Sequence, residues 1–315
     1  MKHNHGSQPM ICIASLTYRR PEGLSMLLEA FSRLTIPDSV RARILIVDND
    51  PEGSGREIVE RYRSQFEHKL DYVIEPGPGI PAGRNRALTE AVDLGADYLC
   101  FTDDDAMPDP DWIAKLTCCQ SKTEAVVVLG PAVFMRPDGI TGLFRRLLAR
   151  SLVARSHLIA WYVDRASRNG EVYFGATSNL MMDLAWIRLN GIKFHNALAK
   201  SGGEDTVFIE SIRQLNGAII WCSKAFVREV LPPDRIKVGY QFSRSRTHGM
   251  TLSQVPNRGR LRLLRIPGAR LVIGTFFMMF PLLGFASFSL GLHLVGVEVG
   301  KIEGWLGRRS RLYAR

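Results

Sequence analysis

Three carboxylates in a row, Asp103, Asp104 and Asp105, directly follow the apolar run of YLCFTDDDAMPDPDW, residues 98–112. Like charges at adjacent positions repel, so the triplet calls for a counter-charge. Asp103 and Asp105 are two positions apart and fall on one side wherever the strand geometry persists. Hard cations such as Mg²⁺ or Mn²⁺ take oxygen ligands, and one or two carboxylates suffice when substrate phosphates complete the shell. A solvated acidic turn, with an aspartate capping a helix that begins near Asp109, is the bland alternative. The hydrophobic strand just before the triplet, and Met107, Pro108 and Trp112 just after it, favour the metal.

Three further places carry groups of the same kind. Asp48 ends RILIVD and can accept a hydrogen bond from a nucleobase imide or a ribose hydroxyl, or merely form a turn. Arg84, in the glycine-rich loop PGPGIPAGRNR, offers a planar fork to a nucleotide or diphosphate. Glu204 and Asp205 follow paired glycines in SGGEDTVF and open a helical pattern. The helix dipole explains one carboxylate there; two invite general-base work on an incoming hydroxyl. No GxGxxG follows the first strand and no GxxxxGK[ST] occurs, which argues against a dinucleotide site or a P-loop.

The elements that must position these groups alternate regularly. MICIASLTY, RILIVDND, LDYVIE and DYLCFT read as buried strands, separated by segments with apolar residues at helical spacing. That order predicts a largely parallel sheet covered by helices, with ligands bound beyond the carboxyl ends of the strands. Thr17-Tyr18-Arg19-Arg20, Asp48-Asn49-Asp50, Glu75 and the triplet then converge on one edge. Further strands are expected in AVVVLGP, EVYFGATSNLMM, AIIWCS and AFVREV, and a basic amphipathic helix over 143–163, either an ordinary surface helix or a face towards the membrane or a lipid-linked ligand.

The formal net charge is +10, but residues 256–315 carry ten Lys/Arg against two Glu, leaving +2 for the rest. A nucleic-acid protein would spread its basic residues over the folded domain, so no nucleic-acid partner is expected. The excess instead surrounds LVIGTFFMMFPLLGFASFSLGL, 22 uncharged residues over 271–292 interrupted by Pro281 and Gly284. With both flanks basic, a re-entrant or in-plane hairpin at an anionic inner leaflet is favoured over a single crossing. The polar start MKHNHGSQP shows no secretory signal, and five cysteines without CxxC spacing fit a reducing compartment. The expected layout is a polar tail over 1–9, an α/β domain over 10–255 and a membrane-associated helical region over 256–315.

Taken in order, SLTYRRP, the strand ending in Asp48, GIPAGRNRAL, FTDDDAMPDPDW and GGEDTVF resemble the family 2 glycosyltransferases with the GT-A fold, over roughly residues 10–230. The nearest resemblance is to bacterial exopolysaccharide enzymes of the succinoglycan glucosyltransferase type. That resemblance implies a Rossmann-like nucleotide-diphospho-sugar transferase fold and an inverting transfer from a nucleotide-diphosphate sugar, UDP-linked by expectation. Thr17 and Asp48 would hold nucleobase and ribose with help from Arg84, and Tyr18 and Arg20 belong to the same substrate-binding stretch. Asp103 would contact the ribose side and share the Mn²⁺ or Mg²⁺ with Asp105, while Asp104 is structural or a secondary contact. Asp205 would be the base, Glu204 would contact acceptor or sugar, and Gly175 and Asn179 would line the sugar pocket. In YQFSRSRTHGM, His248 stands where some relatives complete the metal site, the alternative being a plain surface histidine. No QxxRW motif occurs, which separates the chain from the polymerising synthases and implies single addition to a glycan or lipid-linked glycan at the cytoplasmic face of the inner membrane. The rivals are a sugar-nucleotide-forming transferase, which would need a glycine-rich first loop, and a membrane-associated scaffold whose site has decayed.

Overall fold

The computed structural model describes residues 8–167, 170–172, 177–199, 202–254, 269–279 and 286–308. In chain order the elements are β1 (Met10–Thr17), α1 (Pro21–Phe31), β2 (Arg41–Asp48), α2 (Arg56–Arg63), β3 (Leu70–Ile74), α3 (Ile80–Asp93), β4 (Tyr98–Thr102), β5 (Ala106–Pro108) and α4 (Trp112–Thr123). They continue with β6 (Val127–Leu129), β7 (Ala132–Met135), α5 (Leu143–Ala166), β8 (Asn179–Asp183), α6 (Leu184–Leu189), α7 (Glu204–Gln214), β9 (Ile219–Trp221) and β10 (Val227–Val230). Three helices follow: α8 (Val238–Gln254), α9 (Ala269–Met279) and α10 (Ser287–Trp305).

These elements form two compact units that interleave along the chain. The first comprises Met1–Ala132, Ala166–Asn196 and Phe208–Arg228; the second comprises Val133–Arg165, Ala197–Val207 and Glu229–Arg315.

A seven-stranded sheet in the order β3-β2-β1-β4-β8-β6-β9 forms the first unit. Strands β1, β2, β3 and β4 are parallel, as the alternating pattern requires, and β1 is buried on both faces through Ile11, Cys12, Ile13 and Ala14. Strand β8 runs antiparallel to both β4 and β6, so the sheet is mixed. Nothing local in SNLMMD marks that reversal; an apolar run buried on both faces reads the same in either direction. Helix α1 starts at Pro21, whose fixed φ suits a first turn, and buries Leu24, Leu27, Leu28 and Phe31 against the sheet. Cys12 and Cys100 are fully buried within β1 and β4.

In the second unit, α8 and α10 approach closely through small residues. A Cβ on Gly300 would lie 1.8 Å from the Arg246 carbonyl oxygen, so only glycine fits there. Bonds between the same helices join the Arg246 guanidinium to both oxygens of Glu303. The uncharged stretch 271–292 divides between α9 and the first turns of α10, with 280–285 outside the described residues. Among the described residues no helix is long and apolar enough to cross a membrane.

Candidate active site

The strand register brings the expected groups level. Thr17 lies opposite Asp48 across β1–β2, Asp48 opposite Ile74 across β2–β3, and Ala14 opposite Phe101 across β1–β4. Running the last pairing three residues further sets Thr17 beside Asp104, where Thr17 Oγ1 donates to Asp104 Oδ2 at 3.1 Å. Thr17, Asp48 and Asp104 are all buried at this edge.

A single guanidinium answers much of the triplet's self-repulsion. Arg20 donates from Nη1 to Asp104 Oδ1 at 2.5 Å and from Nη2 to Asp105 Oδ2 at 3.0 Å. Its neighbour Arg19 adopts a left-handed φ of +52° and turns the other way, onto both oxygens of Asp50 at 3.0 and 3.1 Å. Burial pushes the Asp104 carboxyl up to about 7, with the charges of Asp105 and Asp103 adding to the rise and Arg20 opposing it. Asp104 is the buried member of the triplet, bonded to Thr17 and Arg20. Asp103 is the exposed member, its side chain 46% accessible, with Arg84 Nη2 at 3.8 Å. Arg84 itself is buried, its guanidinium 5.4 Å from the Phe194 ring centroid.

Asp48 serves its own loop. Oδ1 accepts from the Asp50 amide at 2.9 Å, and Oδ2 accepts from the Gly55 amide at 2.6 Å and from the Tyr72 hydroxyl at 2.7 Å. Burial, with Asp48 as acceptor, pushes the Tyr72 phenol up. Asp48→Ala would orphan three donors around a fully buried side chain. We expect a loss of about 3 kcal/mol or more of folding stability, read from the urea midpoint. An unchanged midpoint would show that water replaces the carboxylate.

Asn179 is buried and fully engaged: Nδ2 donates to the carbonyls of Pro131 at 2.9 Å and Ala225 at 2.7 Å, and Oδ1 accepts from Trp112 Nε1 at 2.8 Å. It ties the start of α4, just past the triplet, to β8. Gly175 lies outside the described residues. Tyr18 is exposed, with Arg19 over its ring at 5.3 Å.

In the second unit, Glu204 and Asp205 occupy the first turn of α7, Glu204 buried and Asp205 half-buried. The glycines before them have a structural cause: Gly202 and Gly203 take φ of +74° and +89°, and a Cβ on Gly203 would sit 2.1 Å from Thr251 Cγ2. Gly203→Ala is expected to cost about 1–3 kcal/mol through strain and the displaced Thr251, measured as a lowered Tm. His248 is exposed on α8, its ring 6.2 Å from that of His293.

Reading the sequence missed several scaffold groups. Asn49 Nδ2 donates to the carbonyls of Glu75 at 2.9 Å and Gly77 at 2.6 Å, latching the β2 end to the glycine loop. The Arg19–Asp50 and Trp112–Asn179 pairs were missed as well. Arg19, Asn49 and Asp50 had a signal in their place at converging strand ends, but their pairings had none.

Among the described residues no three His, Cys, Asp or Glu side chains cluster as a metal cage. The donor set at the strand ends still suits a hard cation. Asp103 and Asp105 flank Asp104, and the three carboxylates face two guanidiniums, Arg20 and Arg84. The local balance stays negative, with one or two carboxylates to offer and the rest left for phosphate oxygens.

Comparison with known proteins bears on this edge. The family model described as Glycosyl transferase family 2 matches residues 12–186. The succinoglycan biosynthesis protein ExoM of Rhizobium meliloti (strain 1021) is 32% identical over 248 residues, which are 78% of this chain and 75% of that protein. Among solved structures, the mannosyltransferase PcManGT from Pyrobaculum calidifontis, in complex with GDP-Man and Mn²⁺, superposes with a TM-score of 0.62 at 15% identity, covering 93% of this chain and 88% of that one. GalNAc-T7 with UDP, GalNAc and Mn²⁺ gives 0.54 at 14% identity, covering 77% of this chain and 51% of that one. The shared architecture is the GT-A fold, with a mixed, mostly parallel sheet.

Proposed function

The chain belongs to glycosyl transferase family 2, and from that premise we propose that it transfers a sugar, with inversion, from a nucleotide-diphosphate donor to a hydroxyl of a growing exopolysaccharide glycan. The observation that carries this reading is the set of strand ends. Thr17 and Arg20 hold two of the three carboxylates in place, so the triplet is preorganised at the edge where such sheets bind nucleotides. The relative ExoM supports the exopolysaccharide context, and the GDP-Man and UDP bound in the two solved neighbours support a nucleotide sugar, UDP-linked in our reading.

In this mechanism the β1–β4 edge binds the nucleotide, and Arg84, held on the Phe194 face, meets the ribose or diphosphate. Tyr18, exposed beyond Thr17, offers a ring to the nucleobase. Asp105 and Asp103 would hold Mn²⁺ or Mg²⁺, which supplies charge stabilisation for the departing diphosphate. Asp205 accepts the proton of the acceptor hydroxyl as its oxygen attacks the anomeric carbon from the side opposite the diphosphate. Glu204 orients acceptor or sugar. Asn179 acts through Trp112, fixing the segment after the triplet.

The acceptor is lipid-linked and the chain works at the cytoplasmic face of the inner membrane, a reading supported by the basic flanks of the uncharged stretch 271–292. The deciding experiment offers a panel of nucleotide sugars with and without Mn²⁺ and reads transfer or hydrolysis. We expect one UDP-sugar to be turned over only with metal. Donor bound but never turned over would leave a nucleotide-sugar-binding scaffold, and no donor bound under either condition would overturn the transferase reading.

A further inference from the structure

Helix α5, in the second unit, presents to solvent the kind of face that helices ordinarily bury. Its inward side is settled: Leu148, Ala149 and Leu152 pack with Leu231 and Ile236, and Arg155 donates to the Ser289 carbonyl at 2.9 Å. At about 100° per residue, Leu143, Leu147, Leu158 and Trp161 fall within about 60° of one another on the opposite side. They are 75%, 42%, 40% and 56% exposed, and Phe144 and Tyr162 extend the same strip. A water-facing helix would place Glu, Lys or Gln there.

The charges bordering the strip identify the occupant. Five arginines and one aspartate lie between Leu143 and Ala166. Arg146 and Arg150 are exposed along one edge of the strip, and Arg165 stacks on Trp161 at 5.4 Å. An apolar strip with an aromatic belt and a cationic border is how a helix lies in the plane of an anionic lipid surface. A second copy of the chain fits less well, because α5 has only one aspartate, Asp164, to set against its five arginines. The same unit exposes Val272, Phe276 and Met279 on α9 and Trp305 near the end of α10, so its apolar surface is not confined to one helix.

We propose that α5 is an in-plane lipid-binding helix that seats this enzyme on anionic bilayers, its apolar strip entering the headgroup boundary and its arginines meeting lipid phosphates. This rests on the membrane-bound acceptor proposed above and moves the principal lipid contact from residues 256–315 to α5. Phosphatidylcholine vesicles, with or without phosphatidylglycerol, are incubated with the full chain and sedimented. The wild type should sediment with the anionic vesicles and not with the neutral ones. Phe144→Ser/Leu147→Ser/Trp161→Ser and Arg146→Glu/Arg150→Glu should each lose at least about tenfold in apparent affinity, with circular dichroism and UDP-sugar binding unchanged. Bromine-labelled acyl chains should quench tryptophan emission in the wild type and clearly less in Trp161→Phe. Wild-type affinity in both multiple variants would overturn the assignment and return the contact to residues 256–315. A wild type that ignores anionic vesicles would overturn it together with the membrane reading, while donor binding, read separately, would leave the transferase intact. A dimer that the serine variant dissolves would make the strip a self-interface and overturn the lipid assignment.

Discussion

Asp105→Ala should abolish metal-dependent donor binding and lower transfer by about 10³-fold or more, the rate equivalent of losing roughly 4 kcal/mol of charge stabilisation at the diphosphate. The fold should survive. Asp105 is not the anchor of the triplet: Arg20 keeps its 2.5 Å contact to Asp104, and Thr17 keeps its own. What disappears is the carboxylate that shares Arg20 while standing beside the exposed Asp103. Arg20 partly neutralises Asp105, so a cation must compete with that guanidinium, and a diphosphate arriving with the cation gives Arg20 a new partner in place of Asp105. Donor and metal should accordingly bind with positive coupling, each tightening the other. Asp105→Asn keeps shape and one carbonyl oxygen but not the charge, and should retain a small part of the coupling. Calorimetric titration of the UDP-sugar with and without Mn²⁺ reads both quantities. Mn²⁺-dependent binding of normal affinity in Asp105→Ala would remove this residue from the metal site.

That prediction was within reach of the sequence because each contributing residue follows directly on a strand. A strand of β-branched and apolar residues ends where polar side chains begin, and in parallel strands joined by helices those ends share an edge. Thr17, Asp48 and the triplet are therefore placed together by periodicity alone. The division of labour within the edge was less legible. Asp48 and Asp104 are both buried aspartates at strand ends, yet one closes a loop through two amides and a tyrosine and the other is pinned by Thr17 and Arg20. Those partners come from 2 to 87 positions away, and no local pattern encodes them. The antiparallel β8 was illegible for a related reason: strand direction depends on where the chain returns from, and the preceding segment does not announce it. Helix α5 was read as basic and amphipathic, but which of its sides faces the protein is decided by Leu231, Ile236 and Ser289, far along the chain.

Asp205→Asn should leave donor affinity and its metal dependence within about twofold of wild type while lowering kcat for transfer by about 10²–10⁴-fold, the range that a positioned general base contributes. The side chain sits in the first turn of α7, where the helix dipole favours a carboxylate. An amide there loses only the favourable interaction with the helix dipole, about 0.3–1 kcal/mol, so a loss of rate is not ascribed to unfolding. Two features favour Asp205 over its neighbour as the proton acceptor. Glu204 is buried and Asp205 half-buried, so the latter retains access for an incoming hydroxyl. The consecutive left-handed glycines at 202 and 203 fix the direction in which this turn starts, a constraint that a purely capping carboxylate does not need. Donor hydrolysis gives the sharper diagnosis. Water attacking a bound UDP-sugar also loses a proton, so slow hydrolysis should fall with transfer in Asp205→Asn. Transfer that fails while hydrolysis persists would make Asp205 an acceptor-binding residue. Normal transfer would remove it from the mechanism and leave Glu204 as the candidate base.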